Sequence, residues 1–170
     1  MADIDTPSHR MGDVKDDYFF GVILTELMLG LEAGESYVDT SSTVGNGENT
    51  FSVLWAIYES GLLLTCLKAD LSVPVDQRMR IAEAVIRANA GLPLGGFRLD
   101  MDDGALRFVT CHRIFGTLEP YMIKSLFETS LHWTVRFMPL FQLLLRFSDL
   151  SPAAVIEEEW AKSKDNVEPC

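Results

Sequence analysis

The sequence predicts an α+β domain, an antiparallel sheet of about five strands with helices packed against it. Three observations predict it. Residues 89–110 read as a helix end, a glycine-rich turn and two short strands. There Phe97, Leu99 and Met101 alternate with Arg98, Asp100 and Asp102, and Leu106 and Phe108 alternate with Ala105, Arg107 and Val109. That period of two suits a half-buried ribbon, and Asp103-Gly104 supplies the residues a hairpin turn favours. Second, residues 50–58 and 62–71 are apolar strand patterns separated by Glu59-Ser60-Gly61. Third, apolar residues recur at helical spacing on both sides of these strands.

The elements follow in order. Residues 1–13 are polar, acidic and aperiodic, and are expected to be disordered. Phe19, Phe20, Ile23, Leu24, Leu27 and Leu31 define a first helix over 16–31, with Asp16 and Asp17 at the positive end of its dipole. Residues 36–40 suggest a short strand, and the Ser, Thr, Gly and Asn of 41–49 a loop. In the next strand Phe51, Val53, Trp55 and Ile57 share a face. In the one after, Leu63, Leu67 and Leu71 do so, with Thr65 and Ala69 among them. Their opposite faces include Leu54, Leu62 and Leu64, which suits strands that are central or partly covered on the second side.

Pro74 sits where the first turn of a helix tolerates it. Asp76→Arg80 and Glu83→Arg87 are spaced for i,i+4 ion pairs, and Met79, Ala82, Val85 and Ile86 are the expected buried stripe. After the hairpin, Thr117 is the expected cap of a long helix whose inner stripe is Ile123, Leu126, Phe127, Leu131, Thr134 and Met138. Pro139 is expected to kink or end it. A last helix opens at Ser151-Pro152 and runs through Trp160. The organisation is therefore a single domain over 14–162, with a flexible tail at 163–170.

Bulk properties exclude several functions. With 170 residues and 48% apolar content, the chain can build a core without disulfides or metals. The most apolar run, 135–147, contains Arg136 and Arg146 and is too short to span a membrane. The first residues lack an apolar leader, so a cytoplasmic location is expected. A net charge of −11 repels phosphate backbones and argues against general nucleic-acid binding. A local basic patch among the arginines between Arg78 and Arg113 stays open beside the commoner reading of scattered surface charge. Cys66 and Cys111 lie in apolar strand patterns and read as small hydrophobes; the odd count of three argues against a disulfide framework.

No catalytic, cofactor or metal constellation emerges. His9, His112 and His132 are isolated. Asp100, Asp102 and Asp103 lack the ligand spacing of a calcium loop, and Val44-Gly45-Asn46-Gly47 lacks the lysine of a phosphate loop. Two features remain. Arg98, Asp100, Asp102, Asp103 and Arg107 form the densest polar cluster, either a recognition edge for a partner or a solvated face with cross-strand ion pairs. Phe137, Met138, Leu140, Phe141, Leu143, Leu144, Leu145 and Phe147 cover nearly the whole circumference of a helix. A surface helix needs one apolar stripe. Either a second protein surface covers Phe137, Phe141, Leu144 and Leu145, or the helix is buried beneath Trp160 and its neighbours.

Arg78, Asn89, Leu94-Gly95, Phe97, Leu99-Asp100, Asp103-Gly104 and Arg107-Phe108, in this element order, resemble the YbjN family of bacterial proteins described as sensory transduction regulators. A weaker likeness is Ser151-Pro152 followed by Ala153-Ala154. The family commonly carries glycine near the position of Ser148-Asp149, where this chain has none. The resemblance implies the fold of the type III secretion chaperones, which are homodimers. It implies a non-enzymatic protein-binding module, chaperone-like or a regulatory adaptor, with an unidentified protein partner and no cofactor. A small enzyme or ligand-binding domain with a pocket between sheet and helices is the alternative.

Overall fold

The computed structural model describes residues 8–10, 17–32, 37–45 and 50–165. Their order is β1 (Ser8–Arg10), α1 (Asp17–Glu32), β2 (Tyr37–Gly45), β3 (Thr50–Tyr58), β4 (Leu62–Ser72), α2 (Arg78–Asn89), β5 (Gly96–Leu99), β6 (Ala105–Arg113), α3 (Pro120–Arg146) and α4 (Pro152–Asp165). A 3₁₀ turn, Val75–Gln77, leads into α2. The α+β class is as the sequence predicts.

The sheet has six strands in the order β1-β2-β3-β4-β6-β5. All neighbours are antiparallel except β1, which pairs in parallel with the end of β2, Ser8 against Thr43. Two corrections follow. Ser8–Arg10, inside the segment expected to be disordered, is a strand; the rest of residues 1–13 and the tail beyond 165 lie outside the described residues. The expected loop at 41–49 is strand as far as Gly45, because β2 pairs with β3 along its whole length, from Tyr37↔Tyr58 to Gly45↔Thr50. Sheet pairing overrides the weak strand preference of Ser and Gly there.

The helices stand on one face of the sheet. Phe51, Val53, Trp55 and Ile57 of β3, Leu63, Thr65 and Leu67 of β4, and Leu106, Phe108 and Thr110 of β6 are buried beneath them. α3 is the central helix. Its expected inner stripe is buried throughout, and Phe127 sits between Phe20 of α1 and Trp55 of β3 at centroid separations of 5.8 and 5.9 Å. Ser130 hydrogen-bonds Thr110 across the layers at 2.9 Å, which pins the helix to the sheet. The start of α3 differs from expectation. Glu119 is the cap, Pro120 occupies the first turn, and Thr117 lies outside. Pro139 does not end the helix, which continues past it to Arg146 as one element.

Most of the apolar surplus of α3 is used inside the molecule, while Leu143 and Phe147 stay exposed. Phe137, Phe141 and Leu144 are fully buried and Leu145 is half-buried, so these residues are core, not a surface for a partner. Trp160 of α4 packs on Phe137, ring to ring at 5.0 Å, and stands 5.7 Å from Trp133. Gly91 makes room for the indole, since a Cβ there would stand 2.8 Å from it. Arg136 binds Glu159 at 2.7 Å and lies over the Trp133, Phe137 and Trp160 rings, closing the α3–α4 seam. The other face of Phe137 and Phe141 meets Phe97 of β5 edge-on.

α2 packs against α4 and β5, and of its expected stripe Val85 alone is fully buried. Its buried residues are Ile81, Ala84, Val85 and Ala88. Met79 is 74% exposed and Ile86 70%. Two apolar stripes compete in this sequence, and the smaller one wins because Ala84 and Ala88 let the helix come close to its neighbours. Arg80 does not meet Asp76. Its guanidinium donates to the carbonyls of Leu144, Phe147 and Leu150, the open end of α3.

Candidate protein-docking surfaces

The hairpin joining β5 and β6 is held by its own charges. Asp100 Oδ1 accepts the Asp102 amide at 2.9 Å and the Asp103 amide at 3.4 Å, while Oδ2 takes Arg107 at 3.3 Å. Asp103 accepts the Ala105 amide at 2.7 Å and reaches Arg107 at 3.4 Å. The Asp102 amide, then Arg107, holds the Asp100 carboxyl below its ordinary value of 3.8. Arg78 ties the turn to α2 by donating to Val73, Met101 and Asp102 carbonyls. Gly104 has φ +74°, and a Cβ on it would stand 2.2 Å from the Val73 oxygen. Asn89 exchanges two hydrogen bonds with the Phe97 backbone, at 2.9 and 2.8 Å. Of the motif residues behind the family resemblance, Arg78 and Asn89 tie the hairpin to the two ends of α2, and Asp100, Asp103 and Arg107 hold its turn.

Of the expected site residues, Arg98, Asp100 and Arg107 are brought together, and Asp100 and Arg107 are spent on the turn. Asp100, Asp102 and Asp103 form no metal cluster, and no group of three or more potential metal ligands occurs among the described residues. An open cleft of about 140 Å³ beside the turn is lined by Lys68, Asp70, Ser72 and Asp103 among others. Small-molecule pockets start near ~300 Å³.

The face of the sheet away from the helices is a broader surface. Side chains alternate along a strand, so Leu54 and Tyr58 of β3, Leu62, Leu64 and Cys66 of β4, and Cys111 of β6 point there, all half-buried. Burial pushes the Cys66 thiol above its usual range, with Arg107, Arg98 and Lys68 pulling the other way. The cysteines are thus partly open on this face rather than enclosed. Beside the apolar floor runs a basic row, for Lys68 pairs in register with Arg107 and Arg107 with Arg98. Lys68 and Arg98 are exposed and make no hydrogen bond or ion pair among the described residues. The spacing of basic and apolar residues on three strands carried this signal, but only the register of β4, β6 and β5 lines them up.

A second surface is the outer side of α2, where Val75 (74% exposed) precedes Met79 and Ile86 on the stripe opposite the buried one. No helix of the described residues is long and apolar enough to cross a membrane. No family model, curated protein or solved structure matches the chain.

Proposed function

We propose that this chain is a non-enzymatic protein-binding module, a chaperone-like or regulatory adaptor of the YbjN-like, type III secretion chaperone-like kind, working in the bacterial cytoplasm as a homodimer. The observation that carries the reading is the open sheet face, an apolar floor bordered by Lys68, Arg107 and Arg98. With Arg107 held by Asp100 and Asp103, Lys68 and Arg98 are the cations of this row that stand out in a chain of net charge −11. They suit a partner segment that is apolar on one side and acidic on the other, docked flat on the strands. Asp100, Asp103 and Arg107, in the densest polar cluster, are engaged in holding the hairpin, which also fits a binding role over a catalytic one.

A photo-reactive residue placed at Leu64, in the full chain expressed in its native cells, tests this. Adducts of one defined protein mass are expected from Leu64. They should fall sharply when Lys68→Glu and Arg98→Glu are added, and rise when salt is lowered. If Leu64 gives no adduct beyond the chain itself, or if charge reversal leaves the adduct unchanged, the reading fails.

A further inference from the structure

We infer that Cys66 and Cys111 form a two-thiolate clamp on the open sheet face for one soft monovalent cation, Cu(I). The site stands independently of the docking role proposed above. The two cysteines are far apart in sequence, and only the pairing of β4 with β6 brings them together. Cys66 lies opposite Val109 and Leu64 opposite Cys111, so the thiols are diagonal neighbours on one face. Such neighbours stand roughly 7–8 Å apart at Cα. A disulfide needs Cα atoms within about 7 Å and sulfurs at about 2.05 Å, so it asks the ladder to move. A metal bridge does not. Metal–thiolate bonds are about 2.3 Å long, so two in line hold their sulfurs roughly 4.6 Å apart.

The surroundings choose the ion. Both cysteines are free and half-buried, within reach of solvent but bedded in apolar side chains. Leu54 lies opposite Cys66 and Leu64 opposite Cys111, while Val109, also on this face, is buried. No His, Asp or Glu joins the pair, since no group of three or more potential metal ligands occurs among the described residues. Zinc takes four ligands and harder ions want oxygen, whereas a pair of thiolates selects Cu(I). Binding involves no oxidation or reduction: two S–H bonds release protons to water, two S–Cu bonds form, and the site carries one net negative charge. Burial pushes the Cys66 thiol up, which keeps it protonated and slow toward oxidants until a metal displaces the proton. Arg107, Arg98 and Lys68 pull the other way and offset the charge of the loaded site.

Anaerobic titration of the full chain with Cu(I) against a coloured Cu(I) chelator is the test, with copper X-ray absorption reading the ligands. One Cu(I) per chain is expected, bound by two sulfurs and by no nitrogen or oxygen. Cys66→Ser and Cys111→Ser should each abolish that binding, and Cys170→Ser should leave it intact. Circular dichroism checks that each variant stays folded, and Cys66→Ala and Cys111→Ala serve if the serines do not. The affinity should rise with pH, because both thiols must shed protons. Copper that stays on either single variant, is lost with Cys170 or gains a third ligand overturns the clamp. So does an affinity indifferent to pH, or a full chain that leaves all the Cu(I) on the chelator.

Discussion

Asp100 shows how a residue that looks functional in sequence becomes structural in space. Its carboxylate ends the strand, gathers two amides of the turn and receives Arg107. Because its folded-state value is lowered, the stabilisation it gives is complete above the ordinary value of 3.8 and is lost as pH falls through the lowered value. Asp100→Asn should therefore lower the melting temperature at pH 7, and the gap to the parent should close as pH is taken below 3.8. A gap that persists at low pH would mean that shape, not charge, is what Asp100 contributes. The place of the turn was legible from Asp103-Gly104, but its length was not: β5 ends at Leu99, so Met101 and Asp102, expected on the strand, lie in the turn. Where Arg78 goes was not. An arginine on a helix gives no sign in sequence that its targets are carbonyls 23 and 24 residues away.

At the scale of elements, the strands from Thr50 to Arg113 and the inner stripe of α3 were legible because their apolar periods admit one solution. α2 was misread because hydrophobicity ranks Met79 and Ile86 above Ala84 and Ala88, whereas close approach of a helix rewards the alanines. The pattern Ile81, Ala84, Val85, Ala88 was the available signal. β2 runs past its expected end because it pairs with β3 as far as Gly45↔Thr50, and that pairing outweighs the turn preference of its Ser and Gly residues. The end of α3 depends on a neighbour in the same way. The last carbonyls of a helix lack partners within it, and from α2 Arg80 donates to Leu144 in the last turn, to the capping Phe147 and to Leu150 just beyond. Arg80→Ala should cost about 2 kcal/mol, as a charged donor at a helix C-terminus is removed. Arg80→Lys should recover only part, because one ammonium cannot span all three oxygens. Urea unfolding of the three proteins measures both, and an unchanged midpoint for Arg80→Ala would show that water replaces the guanidinium.

For the molecule as a whole, the layer order, one sheet with helices on one side, follows from which strand faces are apolar, and it fixes what is left in water. The apolar surplus of α3 left two readings open, a second protein surface or burial beneath Trp160, because the sequence does not say which way the chain returns. It returns with Trp160 on Phe137, seated in the space left by Gly91. The same return of chain onto chain governs how the molecule ends laterally. β5 is the last strand in the sheet order. A bare strand there would offer unmet amides and carbonyls to any extended chain, a standing template for aggregation. Asn89 closes it. Its side-chain amide imitates a passing peptide group and takes both the N–H and the C=O of Phe97. Asn89→Ala should cost about 1–3 kcal/mol through the orphaned pair. It should also convert a well-behaved protein into one that forms thioflavin-positive aggregates on warming below its melting point. Growth no faster than the parent's would mean the edge is guarded by something else. One amide thus stands between a finished sheet and an endless one.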